Sequence, residues 1–320
     1  MHSSLFFKLF PPPKFMLMKH AGLDISDDAI RCVEYSGHAP NFHINKYSVI
    51  ELPNGVIEGG EIKDEKVLVE NLTKIDKDLN LNYAKVSIPE EKSYLFQTDV
   101  STTDPIANAQ SIEFKLEENV PLAVSEAVFY FDLLPMSVTG GKLRASVSVV
   151  PKSYIEKIIT LLRASGISPI AFEVVPKSIA RTVLSQSNSD SIMVVHVMNK
   201  KTGIYVISGG VVCFTSTVSW GDKNDQKDPA ITVLLEELVR VNAYWTSHHS
   251  EVSKLGHVIL VGRNSSKYES VIGAYVAKEN LVVSVGNVWA NAFSLNNYIP
   301  PITKEQSLEY VVSAGLAMDL

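Results

Sequence analysis

His248 and His249, with Glu251 just beyond them, are the sequence's nearest approach to a metal-ligating cluster. A divalent ion needs several imidazole or carboxylate ligands converging on one point. Adjacent residues on a helix diverge by ~100°, so this pair reads as a helix end, with imidazole beside the C-terminal partial charge. No metal site is expected. The carboxylate pairs Glu90-Glu91 and Glu117-Glu118 have the chemistry for general acid–base work, but neighbouring acids on exposed elements read as solvated faces. There is no Ser-His-Asp spacing, no nucleophile elbow and no Walker loop. Cys32 and Cys213 sit in apolar runs and read as buried free thiols of a reducing compartment. Two polar turns remain: Ser26-Asp27-Asp28, and the stretch His196 to Thr202 (HVMNKKT).

The elements that would position these turns follow from composition and periodicity. Of 320 residues, 46% are hydrophobic and 20% charged, which excludes a disordered or fibrous chain. That length exceeds what one core usually supports, so two or more subdomains are expected. A net charge of −6 leaves no basic footprint for nucleic acid. No run approaches the ~18 apolar residues of a membrane span, and a cytoplasmic location is expected. Residues 5–18 (LFFKLFPPPKFMLM) are apolar but split by Pro11-Pro12-Pro13, unlike a signal peptide. They read either as a leader without a role, or as a polyproline peptide docked on a partner groove or a neighbouring protein.

Strands are predicted at 21–25, 29–35 and 42–50, a helix at 64–79 with Val67, Leu68, Leu72 and Ile75 on one face, and a buried strand at 84–88. A second block follows: strand 94–100, a helix over about 105–118, strands 127–134 and 142–150 across Thr139-Gly140-Gly141, helix 153–164 with Ser153 as N-cap, and strand 167–174. Its β-α-β-β-α-β order suggests a self-contained unit. After a helix at 177–185 the pattern restarts: strands 191–198, 203–208 and 211–218, helix 230–248, strand 257–261, helix 267–279, strand 281–285 and a last helix 304–318.

Four stretches in this order resemble the actin-like pilus proteins of the PilM family, relatives of FtsA. They are Gly22-Leu23-Asp24-Ile25; Leu116 to Pro121 (LEENVP) with Glu126 to Phe131 (EAVFYF); residues 149–181, the most specific; and Tyr310 to Met318 (YVVSAGLAM). Together they span roughly residues 19–320. The resemblance implies an α/β, actin-like (ribonuclease H-like) two-lobed fold with an inserted β-α-β-β-α-β (SHS2/1C) subdomain. It assigns 19–93 to the first lobe (1A), completed by 176–190, then 94–175 to the insertion and 191–320 to the second lobe, with 1–18 as an apolar Pro-rich segment. It further implies a scaffold at the inner face of the cell membrane that holds the N-terminal cytoplasmic peptide of an inner-membrane PilN-like partner near the 1A–1C groove. Membrane association would be through that partner, and self-association stays open.

The family binds ATP between its lobes, with Mg²⁺ where ATP is bound. Backbone N–H groups of two glycine-bearing turns face the phosphates, and acids hold the metal or position water. Carried onto this chain, the matching positions are Asp24, Ser26 and Arg31 in the first turn and Asn199, Lys200 and Thr202 in the second. Glu237 and Arg240 lie near the ribose, with Gly262 and Arg263 at the adenosine end. Several depart from the pattern. Ser26 replaces a glycine, Asp27 and Asp28 add carboxylates that would repel phosphate unless a metal bridges them, and His196 and Met198 stand where the family has its acid and glycine. Lys200 and Lys201 read either as a solvated hairpin tip or as partners for phosphates or first-turn acids. ATP hydrolysis is not expected. The rival readings are an active ATPase and an FtsA-like filament-forming membrane hook, which calls for an amphipathic helix after the last core helix.

Overall fold

Short strands broken by polar turns build an antiparallel meander of β1 (Ala21–Ile25), β2 (Ala29–Ser36) and β3 (His43–Glu51). The computed structural model describes residues 19–38, 40–134, 143–184, 190–219, 229–248 and 254–318, so the segment 5–18 and the Thr139-Gly140-Gly141 turn lie outside the described residues. β1 and β2 are buried along nearly their whole length, the charged Asp24, Arg31 and Glu34 included, whereas β3 alternates exposed with half-buried positions, as an edge strand does. The small hairpin β4 (Ile57–Glu58) and β5 (Glu61–Ile62) leads into α1 (Glu65–Leu79). Asp64 caps α1 by accepting the Val67 N–H at 3.0 Å, and left-handed Asn80 ends it. β6 (Tyr83–Ile88) then lies parallel to β1.

The next elements are β7 (Tyr94–Val100), α2 (Pro105–Glu113), α3 (Leu116–Asn119), β8 (Ala127–Leu133) and β9 (Leu143–Pro151), with sheet order β7-β9-β8. The single helix expected over 105–118 is broken. Lys115 N–H turns tightly onto Ile112 O, and its ammonium is held by Thr98 Oγ1 and Asp99 O of β7. This leaves Phe114 at the bend, 87% exposed.

The chain continues into α4 (Lys152–Ala164), β10 (Ser168–Val174) and α5 (Val175–Val183). The expected β-α-β-β-α-β order is present, but its last helix and strand do not close on the inserted sheet. β10 pairs in parallel with β6. Ile158, Leu161 and Leu162 of α4 join Leu68, Leu72 and Ile75 of α1 in one core, because α2 and α3 already cover the apolar face of the inserted sheet. Measured by sheet pairing, the insertion is 94–151 rather than 94–175. Helix α4 also starts at Lys152 after Pro151, so Ser153 is not its cap.

The second lobe repeats the plan with β11 (Ser191–Val197), β12 (Lys201–Ser208), β13 (Val211–Ser219), α6 (Pro229–His248), β14 (Leu255–Val261), α7 (Glu269–Val276) and β15 (Val282–Val285). Among the described residues the two large sheets read β3-β2-β1-β6-β10 and β13-β12-β11-β14-β15. Each is a three-strand meander followed by two parallel strands on the far side. The expected last helix is split into α8 (Lys304–Ser307) and α9 (Val311–Ala317) by a tight turn at Leu308–Tyr310.

Helices α5 and α9 cross between the lobes, and α9 is buried at every residue. That depth is allowed by two glycines. A Cβ on Gly315 would lie 2.0 Å from Ser178 O of α5, and one on Gly22 of β1 would lie 1.9 Å from Ser313 O of α9. Arg181 of α5 secures the contact by donating to Gly315 O at 2.6 Å. Gly315→Ala should therefore lower unfolding free energy by about 3 kcal/mol through overpacking. Gly256→Ala, whose Cβ meets nothing within 4 Å, should change it by less than about 0.5 kcal/mol, both read from urea midpoints.

Candidate functional site

The duplicated plan sets two turns face to face: residues 26–28 between β1 and β2, and 198–200 between β11 and β12. The first closes through Ser26 N–H to Ala29 O at 3.0 Å, the second through Met198 N–H to Lys201 O at 3.0 Å. Across the gap, Asn199 Nδ2 donates to Asp28 Oδ2 at 2.9 Å. Lys201 Nζ donates to Glu91 and stands 4.0 Å from Asp27 Oδ2. Asp27 also accepts the N–H groups of Gly59 and Gly60, at 2.9 and 3.0 Å. The turns therefore bond to each other.

Arg31 organises the first-lobe side. Its guanidinium donates to Ser26 Oγ at 2.8 Å, to Asp28 Oδ2 at 3.1 Å and to Glu309 Oε1 at 3.3 Å, and stands 3.9 Å from Asp24. Asp24 accepts from Ser87 Oγ at 2.8 Å. Burial raises its pKa above the ordinary carboxylate value, against the pull of Arg31. Burial pushes Asp28 the same way, yet Arg31 overcomes it and the net shift is downward. Glu90 is buried, its pKa raised by desolvation, and accepts from Tyr205 Oη at 2.9 Å. Desolvation disfavours the Lys201 ammonium, but Glu90, Glu91 and Asp27 outweigh it and raise its pKa.

His196 faces this cluster from the end of β11. Burial, then Arg31 and Lys201, lower its pKa to about 3, so it is neutral. Gly262, at φ 94°, lets β14 end against it; a Cβ there would lie 2.1 Å from Val197 O. Arg263 pairs with Glu51 at 2.8 Å and lies 3.8 Å from Glu309. The cavity enclosed by these groups has a volume of about 20 Å³, room for about one water molecule, whereas small-molecule pockets run to ~300–1,000 Å³.

Of the sequence-predicted residues, Asp24, Ser26, Arg31, Asn199, Gly262 and Arg263 meet here. Lys200 is exposed, and Lys201 is the one that reaches the first-turn acids. Thr202 is buried in β12, its hydroxyl without a hydrogen-bond partner among the described residues. Glu237 and Arg240 lie outside the cleft lining: Glu237 accepts from Ser216 at 2.9 Å and pairs with Arg240, whose side chain is 73% exposed. The Ser26-Asp27-Asp28 turn is half-buried. Glu90-Glu91, read as a solvated pair, is part of the site. Its signal was position, since the pair follows Pro89 at the C-terminal end of a parallel strand, where α/β sheets place their ligands. Glu309 had no such signal. His248 Nδ1 lies 3.0 Å from Tyr244 O, while His249 and Glu251 fall outside the described residues. No metal-ligating group of three or more His, Cys, Asp or Glu occurs among the described residues.

Residues 22–228 match the family model of the type IV pilus assembly protein PilM. The chain belongs to the PilM family. A solved PilM–PilN type IV pilus biogenesis complex superposes with a TM-score of 0.79 at 16% identity, covering 94% of this chain and 98% of that one. The cytoplasmic domain of EpsL, an inner-membrane component of the Vibrio cholerae type II secretion system, gives 0.50 at 11% identity, covering 92% and 94%. The ethanolamine utilisation protein EutJ of Carboxydothermus hydrogenoformans gives 0.50 at 12%, covering 96% and 90%. No curated protein matches the chain in sequence. The paired lobes are the actin-like fold that PilM proteins share.

His196 makes the cleft acid-sensitive. Its folded pKa of about 3 lies below the ordinary value of 6.5, so below pH 6.5 the unfolded chain binds a proton that the folded one refuses. Stability is full above that pH and falls by ~1.4 kcal/mol per unit as pH drops towards 3. Urea midpoints at pH 7.5 and 5.5 should differ by the equivalent of ~1.4 kcal/mol more in the native chain than in His196→Asn.

Proposed function

We propose that this PilM-family protein is a non-catalytic scaffold at the cytoplasmic face of the inner membrane, serving a type IV pilus or related secretion machine. On this reading it holds the N-terminal cytoplasmic peptide of a PilN-like membrane protein in the groove between the insertion and the first lobe, and its interlobe cleft does not turn over ATP. The observation that carries the reading is the bridge between the two turns. Lys201 and Arg31, the cations a triphosphate would need, are engaged by Asp24, Asp27, Asp28, Glu91 and Glu309. A phosphate chain entering there meets carboxylates, and displacing them leaves buried charges unpaired, at ~3–5 kcal/mol for each broken pair.

If ATP were held, Asn199 and Lys201 would be the second-lobe groups facing its phosphates, with Arg263 at its adenosine end. The residues do not fit that role, because each already bonds an acid of the first lobe. For the partner, the support is the superposition onto a PilM solved together with PilN. No helix among the described residues is long and apolar enough to cross a membrane, so on this reading attachment runs through the partner.

Purified protein with Mg·ATP should release phosphate no faster than buffer. Release that disappears in Asp24→Ala would overturn the non-catalytic reading. Replacing 94–151 by a short Gly-Ser linker, which spares α4 and β10, should keep a cooperative unfolding transition and abolish binding of a PilN-type N-terminal peptide. Unchanged fluorescence-anisotropy affinity would put the peptide elsewhere.

A further inference from the structure

Among the described residues strands β7 and β13 each end their sheets, β7 pairing only with β9 and β13 only with β12. They approach one another where β13 carries a bulge, between Val212 and Phe214. There the insertion docks by side chains: Ser146 Oγ donates to Val212 O at 2.5 Å and Gln97 Nε2 to Cys213 O at 3.0 Å. Beyond the bulge no backbone pairing joins the two edges among the described residues. No described strand pairs with the outer edge of β13 from Phe214 to Ser219. An open row of backbone donors and acceptors is a template for another strand.

A groove of about 860 Å³ lies between insertion and second lobe, lined by residues 95–99 of β7 and 213–215 of β13. One wall is an aromatic ladder: Phe214 and Tyr244 rings lie 5.4 Å apart, and Tyr244 stacks on His248 at 4.5 Å. The other wall carries Arg144, paired with the Asp99 carboxylate at 3.6 Å, and Lys115, whose ammonium donates to Thr98 Oγ1 and the Asp99 backbone carbonyl, two cations against one carboxylate. Unlike the interlobe cleft, this groove is roomy and its rim charge is positive.

We propose that this groove is a second docking site, which takes an extended acidic segment of a partner protein by strand addition to β13. Backbone pairing supplies affinity. An aromatic or apolar side chain of the segment packs on Phe214 and Tyr244, and a carboxylate meets Arg144 and Lys115. The groove lies on the second-lobe side of the insertion, so it is separate from the first-lobe groove invoked for a PilN-type peptide, and both can be filled together. The inference does not rest on the cleft or on PilN.

The probe is a fluorescein-labelled, blocked hexapeptide of alternating glutamate and phenylalanine, titrated into the full chain. It should bind saturably, slow amide exchange at Phe214–Ser219 and lose at least ~10-fold in affinity in Arg144→Glu and in Tyr244→Ala, both half-exposed positions whose loss leaves the melting temperature in place. Two versions N-methylated at alternate positions cover both registers, and at least one should fail to bind. Equal binding of both N-methylated forms, equal binding of a lysine–phenylalanine hexapeptide, or no binding up to millimolar peptide would each overturn the proposal. AMP binding that is lost in Arg144→Glu, without peptide binding, would make the groove a nucleotide site instead.

Discussion

Everything at the centre of this molecule depends on where one ammonium group goes. Lys201 begins β12, is buried, and stays charged because Glu90, Glu91 and Asp27 surround it. An isolated ammonium in that position would be lost to desolvation, so the carboxylates of the first lobe are a condition of the second lobe's hairpin being packed at all. Arg31 answers the same constraint from the other side, balancing Asp24, Asp28 and Glu309. The two lobes are joined by side-chain charge across the interlobe cleft.

The join works only because the scaffold brings the turns close. Both sheets have the same strand order, so each presents its first hairpin turn to the other. Helices α5 and α9 set the spacing, and Gly22 and Gly315 let α9 reach backbone contact on both sides. Gly203 has a related role: a Cβ there would lie 2.0 Å from the Tyr205 hydroxyl, the group that donates to Glu90. Packing and electrostatics thus converge on the same few residues.

Much of this was legible in the sequence. Period-two and period-3.6 patterns located nearly every element, and residues 149–181 with the closing YVVSAGLAM stretch carried the family resemblance. What failed was long-range. Nothing local distinguishes α4 and β10 as parts of the inserted sheet from parts of the first lobe; the choice is made by Leu68, Leu72 and Ile75, some ninety residues earlier. Likewise Glu90-Glu91 look like solvated surface charges, and contact of Lys201 with first-turn acids is one of two readings, until Lys201 Nζ meets Glu91 across 110 positions. Arg240 was placed near a ribose by the family resemblance alone, and its side chain is 73% exposed. Its nearest partner is Glu237, three residues back, a pair worth ~0.2–0.5 kcal/mol.

The central claim is that the protein's own ion pairs occupy the place of a nucleotide. It is tested most directly by titration calorimetry of the full chain with Mg·ATP at low salt, beside a Glu91→Gln variant that releases Lys201. A flat isotherm for the native chain, at concentrations that would reveal millimolar binding, is the predicted result. A saturable one-site isotherm for the native chain, no weaker than that of Glu91→Gln, would contradict it.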